Sequence, residues 1–203
     1  MERFGPTRRG GPLFRWLGEP LAIDLANTVM VVREGESVDL LDSDEALETW
    51  LELERPRLGD CRFALWDRAE LLAAREDVRS LFTARATGGP FERAAVERLN
   101  AASRGAPVAP QLRLTAGGDC QVIAEERIAD MPALLAAIAR SAIDLLAEHG
   151  RSPLRICGAP SCGMFFIGRR RWCCAACGNR ARAARHYEGR KARTATPASV
   201  TTD

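Results

Sequence analysis

Apolar residues recur along this chain at helical spacing, in runs set apart by glycine and proline. After Asp42-Ser43-Asp44-Glu45, whose side chains suit a helix N-cap, Ala46, Leu47, Trp50, Leu51 and Leu53 share one face of a predicted helix that Pro56 should end. Leu65, Ala69, Leu72, Ala73, Val78, Leu81 and Phe82 predict a longer helix from Ala64 to Ala86, stopped by Gly88-Gly89-Pro90. A third follows from Glu92 to about Ser103, with Ala95, Val96, Leu99 and Ala102 on one side. Asp130 can cap a fourth, Pro132 sits in its first turn, and Leu134, Leu135, Ile138, Ala142, Leu145 and Leu146 bury one face before Gly150.

Other stretches are patterned differently. Leu112 and Leu114 alternate with Arg113 and Thr115, Gly117-Gly118 supplies a turn, and Cys120, Val122 and Ala124 alternate again, which predicts a β-hairpin. Between Glu19 and Val29, the series Leu21, Leu25, Val29 fits a helix and the series Leu21, Ile23, Leu25 fits a strand; Pro20 near the start favours the helix. Phe14, Trp16 and Leu17 hint at a short strand. Residues 1–12 read as a flexible leader and residues 194–203 as a disordered polar tail. The fold class expected is mainly α (α+β): a helical domain over residues 13–150 with a small β-hairpin, then a separate module over residues 151–193.

Composition permits that plan, since 203 residues of which 46% are hydrophobic can bury a core without disulfides. Charge sharpens it. Residues 151–193 carry ten Arg and one Lys against Glu188 alone, a net +10, while the first 150 residues are acidic at −7. A basic module on an acidic body points to a polyanionic partner. The early arginines are not followed by the uninterrupted apolar run of a signal peptide, and Pro20 to Val32 is too short and too polar to cross a bilayer. A cytoplasmic protein with reduced thiols and no membrane partner is expected.

Five of the seven cysteines fall between Ile156 and Lys191. Cys157 and Cys162 are separated by four residues, and Cys173 and Cys177 by three, spacings at which two short turns can offer four thiolates to one tetrahedral Zn²⁺. Cys174 adjoins Cys173, so counting leaves open which of the two is the ligand. Four thiolates close the coordination shell, which points to one structural zinc; an iron–sulfur cluster is the competing occupant. His186 reads as a helix-surface residue, and Cys61 and Cys120 as small buried hydrophobes. In the expected order, Cys157 and Cys162 form a knuckle, Met164 to Ile167 a strand, Gly168 and Arg169 to Arg171 a turn, and Trp172 the return strand. Cys173 and Cys177 then open a helix, an order that resembles a treble-clef finger. Phe165, Phe166 and Trp172 would be its mini-core, and the metal would supply folding energy on the order of 10 kcal/mol.

The run Trp172-Cys173-Cys174-Ala175-Ala176-Cys177-Gly178-Asn179-Arg180, after Cys157-Gly158-Ala159-Pro160-Ser161-Cys162, resembles the bacterial CGNR zinc-finger family. Gly18-Glu19-Pro20-Leu21-Ala22-Ile23-Asp24-Leu25-Ala26-Asn27-Thr28 is similar to the ABATE-type stress-induced-regulator domain that precedes that finger. Together they cover nearly the whole chain. The resemblance implies that Cys173, directly after the Trp, is the ligand, where the family usually has a small residue next; Cys174 departs from that pattern and leaves a candidate redox thiol. It also implies DNA-binding transcription regulation in a stress response.

The basic helix offers Arg182, Arg185, His186, Arg190 and Arg193 on a broad face, with Ala181, Ala184 and Ala192 on a narrower side toward the finger. Arg169, Arg170 and Arg171 would grip phosphates beside it. Gly178, Asn179 and Arg180 read as a structural brace, the last two bonding carbonyls or acids of the body. The helical body would sense a signal or small-molecule effector. Asp24, Asn27 and Thr28 mark a candidate pocket, although caps and buried hydrogen bonds are the first reading of these three. Site-specific DNA binding by one finger calls for a homodimer. A protein- or RNA-interaction module and a thiol/zinc redox sensor are the alternative functions; no catalytic motif stands out, and an enzyme is not expected.

Overall fold

The computed structural model describes residues 19–33, 36–58, 68–124, 128, 130–147 and 153–194. The leader, the Phe14 to Leu17 strand, Cys61 and the tail beyond Thr194 lie outside the described residues, as do the side chains of Ala192 and Arg193. Among the described residues there are six helices and three separate two-stranded antiparallel hairpins.

At the centre is α1 (Leu21–Ala26), in which Ala22 through Ala26 are all buried. A helix buried on nearly every side, its one charged residue Asp24 included, has no informative period, and this one is only six residues long. The chain leaves it at Asn27, so Val29 belongs not to the helix but to β1 (Val29–Arg33), which pairs with β2 (Glu36–Asp39). This hairpin was not foreseen. Thr28 and Val29, at the end of the stretch read as helix, and Val31 and Val32 just beyond it carried its β-branched signal.

In α2 (Asp44–Leu58) the Ala46 N–H donates to Ser43 Oγ at 3.2 Å, an N-terminal cap as expected. Pro56 does not end this helix, which runs two residues further to Leu58. The ring sits in the last turn, and the lost bond falls at Glu52, on the exposed side where water can replace it. Next come α3 (Arg68–Thr87) and α4 (Arg93–Gly105), tied by Arg98 donating to both carboxylate oxygens of Asp77 at 2.8 and 2.6 Å. The expected hairpin is β3 (Pro110–Leu114) with β4 (Cys120–Ala124). Asp130 Oδ1 accepts the Ala133 N–H at 2.9 Å and so caps α5 (Met131–Ala147).

The body core gathers Ile23 and Leu25 of α1, Trp50 of α2, Val78 and Phe82 of α3, Leu99 of α4, and Leu134 and Ile138 of α5. The last third of the chain adds β5 (Leu154–Ile156), β6 (Phe165–Ile167) and α6 (Ala175–Thr194). Here the expected mini-core is split. Phe165 packs in the body core, edge-on to Phe82 with ring centroids 5.6 Å apart, and Leu154 joins it. Phe166 points the other way, into the cluster around the cysteines. Alternation along a strand sends neighbours to opposite faces, so one short hairpin serves two cores.

Candidate metal centre

Two turns bring the thiols together. The first reverses the chain through Ser161 (φ 55°) and Gly163 (φ 64°), both left-handed, and is closed by the Cys157 N–H donating to Met164 O at 2.8 Å. A Cβ on Gly163 would stand 2.7 Å from Val31 Cγ2, so β1 and the knuckle touch here. The second turn leads into α6: Cys173 lies in its approach, two residues before the helix, and Cys177 in its first turn. The return strand expected at Trp172 is not present. The partner of β6 is β5, ahead of Cys157, and Trp172 is a half-buried lid against Gly158 and Gly178.

Cys157, Cys162, Cys173 and Cys177 are all buried, with their Sγ atoms within 4.8 Å of one another. Cys173 Sγ is 3.4 Å from Cys177 Sγ and 3.6 Å from Cys162 Sγ, and Cys162 and Cys177 are also 3.6 Å apart. These separations are far too long for a disulfide, near 2.05 Å, and close to the edge of about 3.8 Å of a tetrahedron with Zn–S bonds of 2.3 Å. The four cysteines therefore fit a single zinc ion. Among themselves the thiols share protons unevenly. Hydrogen bonding from Cys173 holds Cys162 down to about 5, the same contact drives Cys173 steeply up, and burial pushes Cys177 up to about 11. A divalent cation lets all four be thiolates at once.

Around this set, Arg180 Nη2 donates to Cys177 Sγ at 3.1 Å. Its partner is thus a ligand sulfur and not a carbonyl or acid of the body, while its Nε is buried without a hydrogen-bond partner. Asn179 departs further from the expected brace: it is exposed, and its Oδ1 accepts from Arg182 on the same helix. Gly178 does serve close packing, since a Cβ there would lie 3.0 Å from Trp172 Cδ1. Cys174 stands outside the four, half-buried, with its Sγ 3.9 Å from that of Cys173.

Of the candidate DNA-contacting residues, Arg169, Arg171, Arg182, Arg185, His186 and Arg190 are exposed. Arg170 is committed elsewhere, to Glu19 Oε1 at 2.5 Å and to the Phe166 ring at 4.9 Å. Arg171 stacks over Trp172 at 4.8 Å. Ala181 is buried in the cysteine cluster and Ala184 half-buried, so the narrow side of α6 does face the finger. Cys120 corrects another expectation: it is exposed on β4 and not a buried hydrophobe.

The polar residues of α1 and its exit are engaged in buried hydrogen bonds and ion pairs, the first reading of Asp24, Asn27 and Thr28. Thr28 Oγ1 donates to Leu25 O at 2.7 Å and accepts from Arg75, and Asp24 pairs with Arg57 at 2.5 Å. Asn27 Nδ2 donates to Phe165 O at 2.9 Å while the Phe165 N–H donates to Asn27 Oδ1 at 2.8 Å. Glu54, wholly buried, shares the same Arg57, and its Oε1 has no hydrogen-bond partner. Desolvation raises both carboxyls, Asp24 to about 6 and Glu54 to about 7, against the pull of Arg57. A cavity of about 520 Å³ opens nearby, lined by Leu21, Arg57, Leu58, Val108, Arg140 and Ser141 among others. The body–finger contacts of Asn27, Glu19 and Val31 were missed in the sequence, where each reads as part of an apolar run or its edge.

Comparison with known families supports the two-part plan. Residues 19–149 match ABATE, described as "Putative stress-induced transcription regulator", and residues 154–190 match the CGNR zinc finger. No curated protein matches the chain at a significant level of similarity.

Proposed function

We propose that this chain, which belongs to the ABATE family and carries a CGNR zinc finger, is a zinc-dependent transcription regulator that grips DNA along α6. The observation that carries this reading is the exposed cationic face of α6. Arg182, Arg185, His186 and Arg190 all reach solvent, with Arg169 and Arg171 beside them, while Ala181 seats the helix on the cysteine cluster. A helix of this length fits a major groove, and guanidinium groups suit phosphates and guanine edges. Zinc would set the angle at which α6 leaves the finger, and Cys157, Cys162, Cys173 and Cys177 would hold it. With four thiolates the shell is closed to water and substrate, which favours a structural ion.

In this reading the body receives a stress signal in the cytoplasm. The cavity beside Arg57 and Arg140 is the place for a small effector, and no described helix is long and apolar enough to cross a membrane. The test is an electrophoretic titration over a range of salt. DNA affinity should fall with a log–log slope of about −0.9 per phosphate contacted, and substituting Arg182, Arg185 and Arg190 by Ala should flatten that slope without loss of zinc. Absence of binding at low salt would remove the proposal. Capture of genomic DNA by the intact protein, beside a chain lacking Cys157 and Cys162, would then give the site read.

A second reading has its own support in the 3.9 Å contact between Cys174 and Cys173. A spare thiol beside a ligand can become a sulfenic acid under peroxide and then condense with the neighbouring thiolate, releasing water and uncoupling that ligand. The chain would then report oxidants by letting go of its metal.

A further inference from the structure

We infer that the β3–β4 hairpin is a self-association surface, which pairs with the same hairpin of a second copy of this chain. The register sets Leu112 opposite Val122, Leu114 opposite Cys120, and Pro110 at the end of the same face. Every described position on that face is apolar or a thiol. Leu112 and Leu114 are each 73% exposed and Val122 is 74% exposed, more than any other large aliphatic side chain described. Gln111, Arg113, Gln121 and the half-buried Ile123 alternate onto the other face, so the pleat gathers the three most exposed aliphatics on one side and puts every polar or charged side chain of the paired positions on the other.

Among the described residues nothing packs over Leu112, Leu114 or Val122, while Pro110, at the end of the face, borders the cavity of the helical body. None of the side chains on this face enters either core cluster, and the two strands form a sheet by themselves. A two-stranded ribbon is at best marginally stable alone in water, and its edges are open to pairing. Three large aliphatics at this exposure, with Pro110 and Cys120, amount to roughly 300–400 Å² of contiguous apolar surface, the size that marks an interaction site. A stable dimer buries about 800 Å² per partner, roughly 65% of it apolar, so this face alone provides more than half of the apolar part.

The choice of a second copy follows from charge. The face has no charged group to recognise an acidic or basic partner, whereas a neutral apolar face matches its own twofold mate, residue for residue. None of the residues of this face belongs to the cysteine cluster on which α6 is seated.

Sedimentation equilibrium of the full-length zinc-loaded protein from 1 to 100 µM tests this, with Leu112→Glu and Val122→Glu combined as the variant. A concentration-dependent dimer is expected for the parent chain, and on the order of a hundredfold weaker dimerisation for the variant, with helix content and zinc content unchanged. Because both positions are surface-exposed, the variant should fold. Mild oxidation should in addition trap a dimer through Cys120 that Cys120→Ser abolishes. A parent chain that stays monomeric at 100 µM overturns the inference. So does a dimer that survives the double substitution, or a monomer whose hairpin amides are already protected from hydrogen exchange, since then the chain's own residues cover the face.

Discussion

Asn27 and Phe165 exchange two hydrogen bonds across 138 residues of sequence, the side-chain amide standing in for a strand along the edge of β6. Both groups are buried, and no water can replace a bond that is lost. Asn27→Ala should therefore cost about 2–4 kcal/mol, through two backbone groups left unsatisfied. Urea unfolding followed at Trp50 in the body and at Trp172 in the finger should show both probes shifting together. A shift confined to Trp172 would mean that the bond holds only the finger.

Metal removal should likewise be felt beyond the cysteines. Because β5 and β6 present Leu154 and Phe165 to the body core, chelation is expected to lower the melting temperature of the whole chain, by on the order of 10 °C. Calorimetry with and without a strong chelator checks this, and one zinc per chain should be released. An unaltered body transition would show that the two cores are independent.

Arg180 tests the surroundings of the metal. Its bond to Cys177 Sγ draws charge from a ligand, and Arg180→Ala should weaken zinc retention roughly 10–100-fold, read as faster transfer to a chromogenic chelator. Arg180→Lys should restore part of the loss. Equal transfer rates in all three proteins would leave Arg180 with a packing role alone.

Acid titration has a definite sign. Asp24 and Glu54 bind protons more tightly in the folded chain, at about 6 and 7, than their ordinary values of 3.8 and 4.5. Their contribution to stability is fully present below the unfolded values and is lost as pH rises through 6 and 7. The urea midpoint should thus fall between pH 5 and pH 8, and Glu54→Gln should remove much of that fall. Asp39 works the other way: the hydrogen bond from Arg75 keeps its carboxyl below the usual range, so it withdraws stability only in stronger acid. A midpoint that is flat or rising from pH 5 to pH 8 would contradict the assignment to Asp24 and Glu54.

Gly163→Ala meets two obstacles at one position. An alanine would be held at φ 64° and pressed against Val31, for a cost of about 1–3 kcal/mol. Thermal melting measures it, and Val31→Ala in the same chain should recover the steric part.

The long amphipathic helices and the β3–β4 hairpin were legible in the sequence, because each has one polar face and a regular period. The metal centre was legible for a different reason: thiol spacing is a local property, and Cys157, Cys162, Cys173 and Cys177 do meet. What the pattern concealed was whatever is buried on every side. In α1 the period is lost in uniform burial, so the helix seemed to run to Val29 and the β1–β2 hairpin vanished. Phe165 and Phe166 are adjacent aromatics, and only the pleat of a strand whose partner was misassigned tells which core each enters. Arg170 looked like another phosphate ligand because its partner Glu19 is 151 residues away.

The division of labour between Phe165 and Phe166 bears on how such a chain can be cut. A truncation after α5 would strip Phe165 from the body and leave a hole against Phe82, while an excised finger would carry the same ring naked into water. Grafting this finger onto a foreign body requires a socket for Phe165 and an amide placed like that of Asn27. In any chimera, the natural seam is therefore not the stretch before β5 but the far side of the Phe165 socket.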